Sequence, residues 1–427
     1  MVFRVFPFIL TLLIYFSPIF LFAQNDTLMS VDFDEIQIQA FREAGKIKPI
    51  SEYTNLMVLG GRKLEEIPLQ NLPANISEKV GRQIFSRIPG AFVYDMDGAG
   101  NQVNVSLRGL DAHRSWELSV RQNGIITNTD IYGYPASHYS APMEAVDRIE
   151  LIRGTGALQY GQQFGGMLNY ILKKPDTSKL ISFESINTVG SFGLISTYTS
   201  IGGKTGNFTY QAYYHRRVSE GYRDNARSEA EGQHISIGYE FEPVDLSITA
   251  ELSKSTYLYR IPGPLNDEMF EHNPRMATRF RNFYSPDILI PALIVDWGAS
   301  KNTRFLISAS GVFGDRTSVV FPGNSLRQDI IDPETNNYGP RDVAIHHYYS
   351  RTIETRMLHQ YSLFNLKNDL SVAVRYINNK NIRKQRGVGT TGFDYDSSVP
   401  GGFGRDLKLL SQSLAFAIEN QLWINDK

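Results

Sequence analysis

Apolar residues along this chain fall into three textures, and each predicts a different kind of element. From Val5 to Phe22 they run almost unbroken, from Ile67 to Pro175 helical and alternating patterns mix, and from Asp176 onward alternation takes over. In the middle stretch Ile76, Val80, Ile84 and Ile88 recur every four residues. Asn75 with Glu78 three positions later makes a capping box, and Pro89-Gly90 ends the run, so the spacing predicts a helix between them. That helix needs a sheet to cover, and candidate strands follow at once. Val103, Val105 and Leu107 alternate up to Arg108-Gly109, and Leu118 and Val120 lead to the hairpin-type pair Asn123-Gly124. Ile149 with Leu151, and Leu168 with Tyr170, each predict a strand with one buried face.

Beyond Asp176 the apolar positions are Phe208, Tyr210, Ala212 and Tyr214, then Ile235 to Phe241, then Leu246 to Leu252. Similar faces recur at Phe305–Phe313, Leu370–Tyr376 and Leu414–Leu422. Segments of about nine to eleven residues with one apolar face fit transmembrane β-strands, and longer polar stretches between them fit extracellular loops. The single early cation Arg4, the apolar run and the small residue Ala23 read as a secretory signal over residues 1–23. No later stretch supplies roughly twenty consecutive apolar residues, so entry into a membrane would have to be as a barrel.

Composition narrows the picture further. The 427 residues carry a formal charge of -1, without the basic excess of a nucleic-acid binder. With 25 Phe and 23 Tyr against 3 Trp, the chain is rich in rings that suit the interfaces of a barrel. The absence of cysteine excludes disulfides and thiolate metal sites. His346 and His347 are adjacent, so on a strand they face opposite ways and do not share a metal. No nucleophile turn or isolated carboxylate pair stands out, which disfavours an enzyme and leaves no cofactor implied.

Ile149 to Pro175, IELIRGTGALQYGQQFGGMLNYILKKP, places Arg153, Gly154, Gly156, Tyr160, Gly161, Gly165 and Gly166 between two short strands. The glycine spacing lacks the Lys-Ser/Thr and following helix of a nucleotide loop. It closely resembles the end of the plug domain of TonB-dependent outer-membrane receptors, and the QYG, QQ and FGG forms lean toward the ferric citrate branch. The succession RIPGAFV, VNVSLRGL with Arg108-Gly109, VRQNG and VDRIELIRG resembles the plug order across Ile67 to Pro175.

The resemblance implies an α+β plug followed by an antiparallel transmembrane β-barrel. The expected layout is a signal peptide at 1–23, a periplasmic arm at 24–60, a plug at 61–175 and barrel strands from 176 to 427. Within the arm, Asp34, Glu35, Ile36, Gln37 and Ile38 resemble a TonB box, which would pair with TonB by strand addition. Such barrels use about 22 strands, and the residues after Pro175 leave only about 11 to 12 for each, so about 10 to 12 strands and an incomplete barrel are expected. Three loop arginines resemble the citrate-binding positions of ferric citrate receptors: Arg316 in GVFGDRTSVVF, Arg341 in YGPRDVAIHHYYSRTIETR and Arg405 in GGFGRDLKLL. Their planar donor forks match carboxylates. The plug apex departs from the family pattern, because Asp95, Met96, Asp97, Gly98, Ala99 and Gly100 stand where a hydroxyl-bearing residue is usual. The implied function is TonB-dependent uptake of a ferric chelate, with ferric citrate as the chelate, across the outer membrane of a Gram-negative bacterium, with outer-membrane lipid around the barrel. The alternatives are a receptor for another siderophore and a truncated binding or vestigial protein that transports nothing.

Overall fold

Among the described residues the mixed texture folds into a six-stranded sheet with two two-stranded ones, and the alternating texture into a ten-stranded sheet whose buried face meets them. A computed structural model describes residues 48–49, 53–54, 57–58, 64–96, 98–129, 138–153, 165–323, 327–392 and 395–424. The signal segment, Asp34, Glu35, Ile36, Gln37 and Ile38 of the arm, the turn residues Gly154, Gly156, Tyr160 and Gly161, and Asp97 lie outside these residues.

The inner unit begins with short strands β1 (Lys48–Pro49), β2 (Tyr53–Thr54), β3 (Met57–Val58) and β4 (Leu64–Pro68). Helix α1 (Gly81–Ile84), β5 (Ala91–Tyr94), β6 (Asn104–Leu107), β7 (Leu118–Gln122), β8 (Ile125–Ile126), β9 (Val146–Ile152) and β10 (Gly166–Leu172) follow. Six of the strands form one sheet in the order β1-β4-β9-β10-β7-β8, in which β10 and β7 are parallel. Asn123 and Gly124 both take positive φ, 49° and 83°, as a tight hairpin between β7 and β8 requires.

The helix is much shorter than the apolar spacing predicts. Asn75 Oδ1 does accept the Glu78 backbone N–H at 3.1 Å, but Lys79 turns to a φ of 51° and breaks the run. Lys79 Nζ instead reaches the Ser140 carbonyl at 3.1 Å, so a tertiary contact replaces a helical turn. Ile84 and Ile88 are still buried in the plug core with Phe85, Val105, Leu107, Ile149, Leu151 and Leu168. Strands β9 and β10 differ from expectation in being buried on both faces. Their polar positions Glu150 and Asn169 are 1% and 0% exposed and satisfy each other through Asn169 Nδ2 and Glu150 Oε2 at 2.9 Å.

The outer sheet is an antiparallel meander of ten strands, each paired with its sequence neighbour. They are β11 (Ser182–Gly190), β12 (Leu194–Thr205), β13 (Phe208–Ser219), β14 (Ser228–Phe241) and β15 (Leu246–Arg260), then, after helix α2 (Asp267–His272), β16 (Phe283–Ser300), β17 (Thr303–Val320), β18 (Asp342–Leu363), β19 (Leu366–Val388) and β20 (Phe403–Trp423). The apolar face predicted from alternation points outward: Ile235, Ile237, Tyr239, Leu252, Leu414, Phe416 and Ile418 are exposed. Ser253, Ser350, Thr352, Glu354, Arg356, Asn379 and Asn381 are buried. This inside-out polarity is the signature of a wall with lipid outside and a polar interior. β11 has nine residues, and every later strand of this sheet is longer than the nine to eleven expected. At about 3.3 Å per residue, β18 alone spans about 70 Å, well beyond an apolar band about 25 Å tall. The surplus at one end carries the candidate site.

Candidate functional site

The site is built where β16, β17 and β18 run side by side. Register pairs Pro286 with Arg316 and Arg316 with His346, while Tyr284 pairs with Ser318 and with Tyr259 on β15. Alternation turns Arg316 inward, where it is 7% exposed, and leaves Asp315 outward. The Arg316 guanidinium lies 5.3 Å from the centroid of the Tyr284 ring, and its Nη2 donates to His346 Nδ1 at 3.0 Å. No carboxylate among the described residues pairs with Arg316, and its Nε has no hydrogen-bond partner. A guanidinium this enclosed is costly to leave without an anion. The geometry therefore suits a carboxylate or similar anion entering from the open end.

Tyr284 also belongs to a buried ladder with Tyr257 and Tyr259, whose rings lie 5.6 to 6.3 Å apart. Its hydroxyl shares a 2.6 Å hydrogen bond with Nε2 of His138, a plug residue that is 1% exposed. Neither Tyr284 nor His138 is singled out by the sequence. The alternating pair Tyr257 and Tyr259 hints at an aromatic face, but the partner from β16 and the plug histidine are sequence-remote.

Arg341 and Arg405 are placed near the same end of the wall, with different surroundings. Arg341 is 1% exposed and immediately precedes β18. Its Nε donates to the Thr390 carbonyl at 3.2 Å, and Nη2 donates to Thr390 Oγ1 at 2.6 Å and the Asp396 carbonyl at 3.1 Å, which ties two loops together. Arg405 is exposed on β20 opposite Gln385. A further clamp holds this end: Arg281 and Asp329 are both wholly buried and pair through two hydrogen bonds of 2.7 and 2.9 Å. Arg281 also donates to the carbonyls of Thr391 and Gly339.

At the plug apex, Asp95 pairs with Arg82 at 2.7 Å, so its charge is offset locally. His346 and His347 face opposite sides as adjacent strand residues must: His346 is buried against Arg316, and His347 pairs with Asp315 on the outer face.

The plug motif residues that are described occupy structural turns. Arg108 and Gly109 both have positive φ, 58° and 77°, and the Arg108 N–H donates to the Gly90 carbonyl at 3.1 Å. Arg153 pairs with Glu65 and donates through Nη1 to the Pro89 carbonyl at 3.2 Å. Gly165 donates to the Glu117 carbonyl at 2.8 Å, and a Cβ at Gly165 would sit 2.5 Å from that oxygen. Gly166 takes a φ of 101° where β10 opens against β7.

The plug meets the wall through polar contacts. Arg121 Nη1 reaches Glu354 Oε2 at 3.1 Å, with both side chains nearly buried. Gln122 donates to Ser253 at 2.9 Å, Asn101 donates to Ser228 at 3.0 Å, and Arg217 donates to Asn101 at 2.7 Å. Beside the Asn123-Gly124 turn a cavity of about 140 Å³ is lined by Ile294, Ser308, Glu354 and Arg356.

Comparison with known proteins agrees with this architecture. Residues 70–167 match the family model described as the TonB-dependent receptor plug domain. Among solved structures, the ferric citrate transporter FecA in its unliganded form is similar with a TM-score of 0.71 and 17% identity, over 85% of this chain and 54% of that one. The siderophore receptor PiuA from Acinetobacter baumannii is similar at 0.63 and 16%, over 90% of this chain and 58% of that one. The ferric-catecholate import receptor Fiu from E. coli K12, in its open form, is similar at 0.60 and 15%, over 86% and 57%. At these identities the likeness is one of fold, and the chain spans little more than half the length of each. The chain therefore carries a TonB-dependent receptor plug domain, and the plug match and the shared plug-and-barrel fold together support the TonB-dependent receptor class.

Proposed function

We propose that this protein is an outer-membrane receptor for TonB-dependent uptake of a ferric chelate, with ferric citrate as the chelate. The carrying observation is Arg316, an enclosed guanidinium with no carboxylate partner among the described residues, on a wall packed against a plug. A polycarboxylate complex of iron would supply the missing anion and accept charge-assisted hydrogen bonds from it. Arg341 and Arg405, at the same end of the wall, are the companion residues of this reading. Arg405 is exposed and accessible to a ligand, and Arg341 would act once its loop partners Thr390 and Asp396 rearrange. The similarity to structures of ferric citrate, siderophore and ferric-catecholate receptors supports a ferric chelate as the cargo class.

In this reading the arm with Asp34, Glu35, Ile36, Gln37 and Ile38 engages TonB, and the outward apolar face meets outer-membrane lipid. The test is uptake of radiolabelled iron presented as ferric citrate or as a hydroxamate or catecholate chelate, in cells with and without TonB. TonB-dependent accumulation from ferric citrate alone is the expected result. Accumulation from another chelate alone replaces citrate with that siderophore, and accumulation from none overturns the transport reading.

A further inference from the structure

We infer that Tyr284 couples the Arg316 site to the plug, acting as a positioning residue between the wall and His138. Two contacts in series carry the inference, and the second is made both by a hydrogen bond and by ring packing. Arg316 lies over the Tyr284 ring at 5.3 Å, the Tyr284 hydroxyl meets His138 Nε2 at 2.6 Å, and the His138 and Tyr284 rings pack edge-on with centroids 5.5 Å apart. Tyr284 and His138 are 5% and 1% exposed, so neither can move without disturbing its neighbour. His138 lies five residues before Met143, whose side chain is packed in the plug core, and next to Tyr139, which donates to Gln122 on β7 at 2.8 Å. A shift at His138 thus reaches the central plug sheet within one residue.

The anion that Arg316 lacks would compete with the Tyr284 ring for its guanidinium, because a carboxylate attracts it more strongly than an aromatic face does. Drawing the guanidinium off the ring frees one side of Tyr284 and loosens its hold on His138. The relay rests on the reading of Arg316 as an anion site, but its mechanical part can be tested without any ligand.

The experiment is amide hydrogen exchange of the peptide spanning residues 138–146 in the purified full chain, comparing the parent with Arg316→Gln, Tyr284→Phe and the double variant. Tyr284→Phe keeps the ring and removes the hydroxyl. The expected result is exchange about three- to tenfold faster in each single variant, as for loss of one hydrogen bond. The double variant should be no faster than the singles, since both act through one path. Unchanged exchange in Arg316→Gln, or effects that add in the double variant, overturns the relay. A separate arm adds ferric citrate to the parent and to Tyr284→Phe. With ferric citrate saturating each protein, loss of the exchange response in Tyr284→Phe supports a relay. An exchange response in Tyr284→Phe equal to the parent's overturns it. Failure of the parent to bind ferric citrate overturns the citrate reading alone, and the ligand-free comparison then decides the relay.

Discussion

Arg121 on β7 of the plug and Glu354 on β18 of the wall form an ion pair at 3.1 Å with side chains 1% and 6% exposed. Glu354 also pairs with Arg356 of its own strand, and Arg121 donates in addition to the Gly124 carbonyl at 2.6 Å. One carboxylate thus holds two arginines, one from each unit, beside the small cavity at the plug hairpin.

That arrangement makes the two halves of the pair unequal. Glu354→Gln removes the carboxylate that Arg121 and Arg356 share, whereas Arg121→Met leaves Glu354 still paired with Arg356. Breaking a buried pair costs about 3 to 5 kcal/mol, and Glu354→Gln should lie at the upper end, with Arg121→Met well below it. Denaturant midpoints for release of the plug from the wall check the order. Equal losses would show that Arg356 is not part of the balance.

Gly165→Ala should destabilise the plug by about 2 kcal/mol or more, because a Cβ there would press on the Glu117 carbonyl at the start of the β10–β7 pairing. Gly98→Ala is the comparison: its φ of 62° is positive, unlike that of Gly165, but nothing lies within 4 Å of the added carbon. Thermal or denaturant unfolding of the two variants should separate crowding from backbone strain, with Gly165→Ala the more damaging.

Loss of a single arginine from the proposed chelate site should weaken ferric citrate binding by about ten- to a hundredfold, the equivalent of one charge-assisted hydrogen bond of about 1.5 to 3 kcal/mol. Arg316→Ala should show the largest loss, and Arg316→Lys should fall between, since it keeps charge and loses the fork. Arg341→Ala should lower binding and also loosen the loops at Thr390 and Asp396, which limited proteolysis would read. Calorimetry showing parental affinity in Arg316→Ala, Arg341→Ala and Arg405→Ala alike would remove citrate from the proposal.

Ile38→Pro removes a backbone donor and fixes φ within the proposed TonB box. Uptake should fall to the level of cells lacking TonB while chelate binding stays at the parental value. Normal uptake by this variant would place the TonB contact elsewhere.

Much of the architecture follows from local pattern. The Asn123-Gly124 turn, the strands through Val105, Leu118, Ile149 and Leu168, and the outward apolar faces from Phe208 to Leu422 are legible because period two is a property of the strand itself. The broken helix after Asn75 is not, since Lys79 abandons helical φ for a contact with Ser140, sixty-one residues away. Nor is the double burial of Glu150 and Asn169, which alternation alone assigns to a solvated face and which their mutual hydrogen bond, with Arg148 on Glu150 and the Gly124 N–H on Asn169, permits.

For the site, sequence singles out arginine as a residue type and Arg316 as one position. Tertiary structure alone decides that Arg316 is enclosed beside Tyr284 and His346, that Arg341 is hydrogen-bonded within loops, and that His138 of the plug reaches the wall. The physical reason is separation along the chain. His138 and Tyr284 are 146 residues apart, and Arg316 and His346 are 30 apart. Periodicity sets which face each residue takes, while strand register and the seating of the plug set which neighbours it meets.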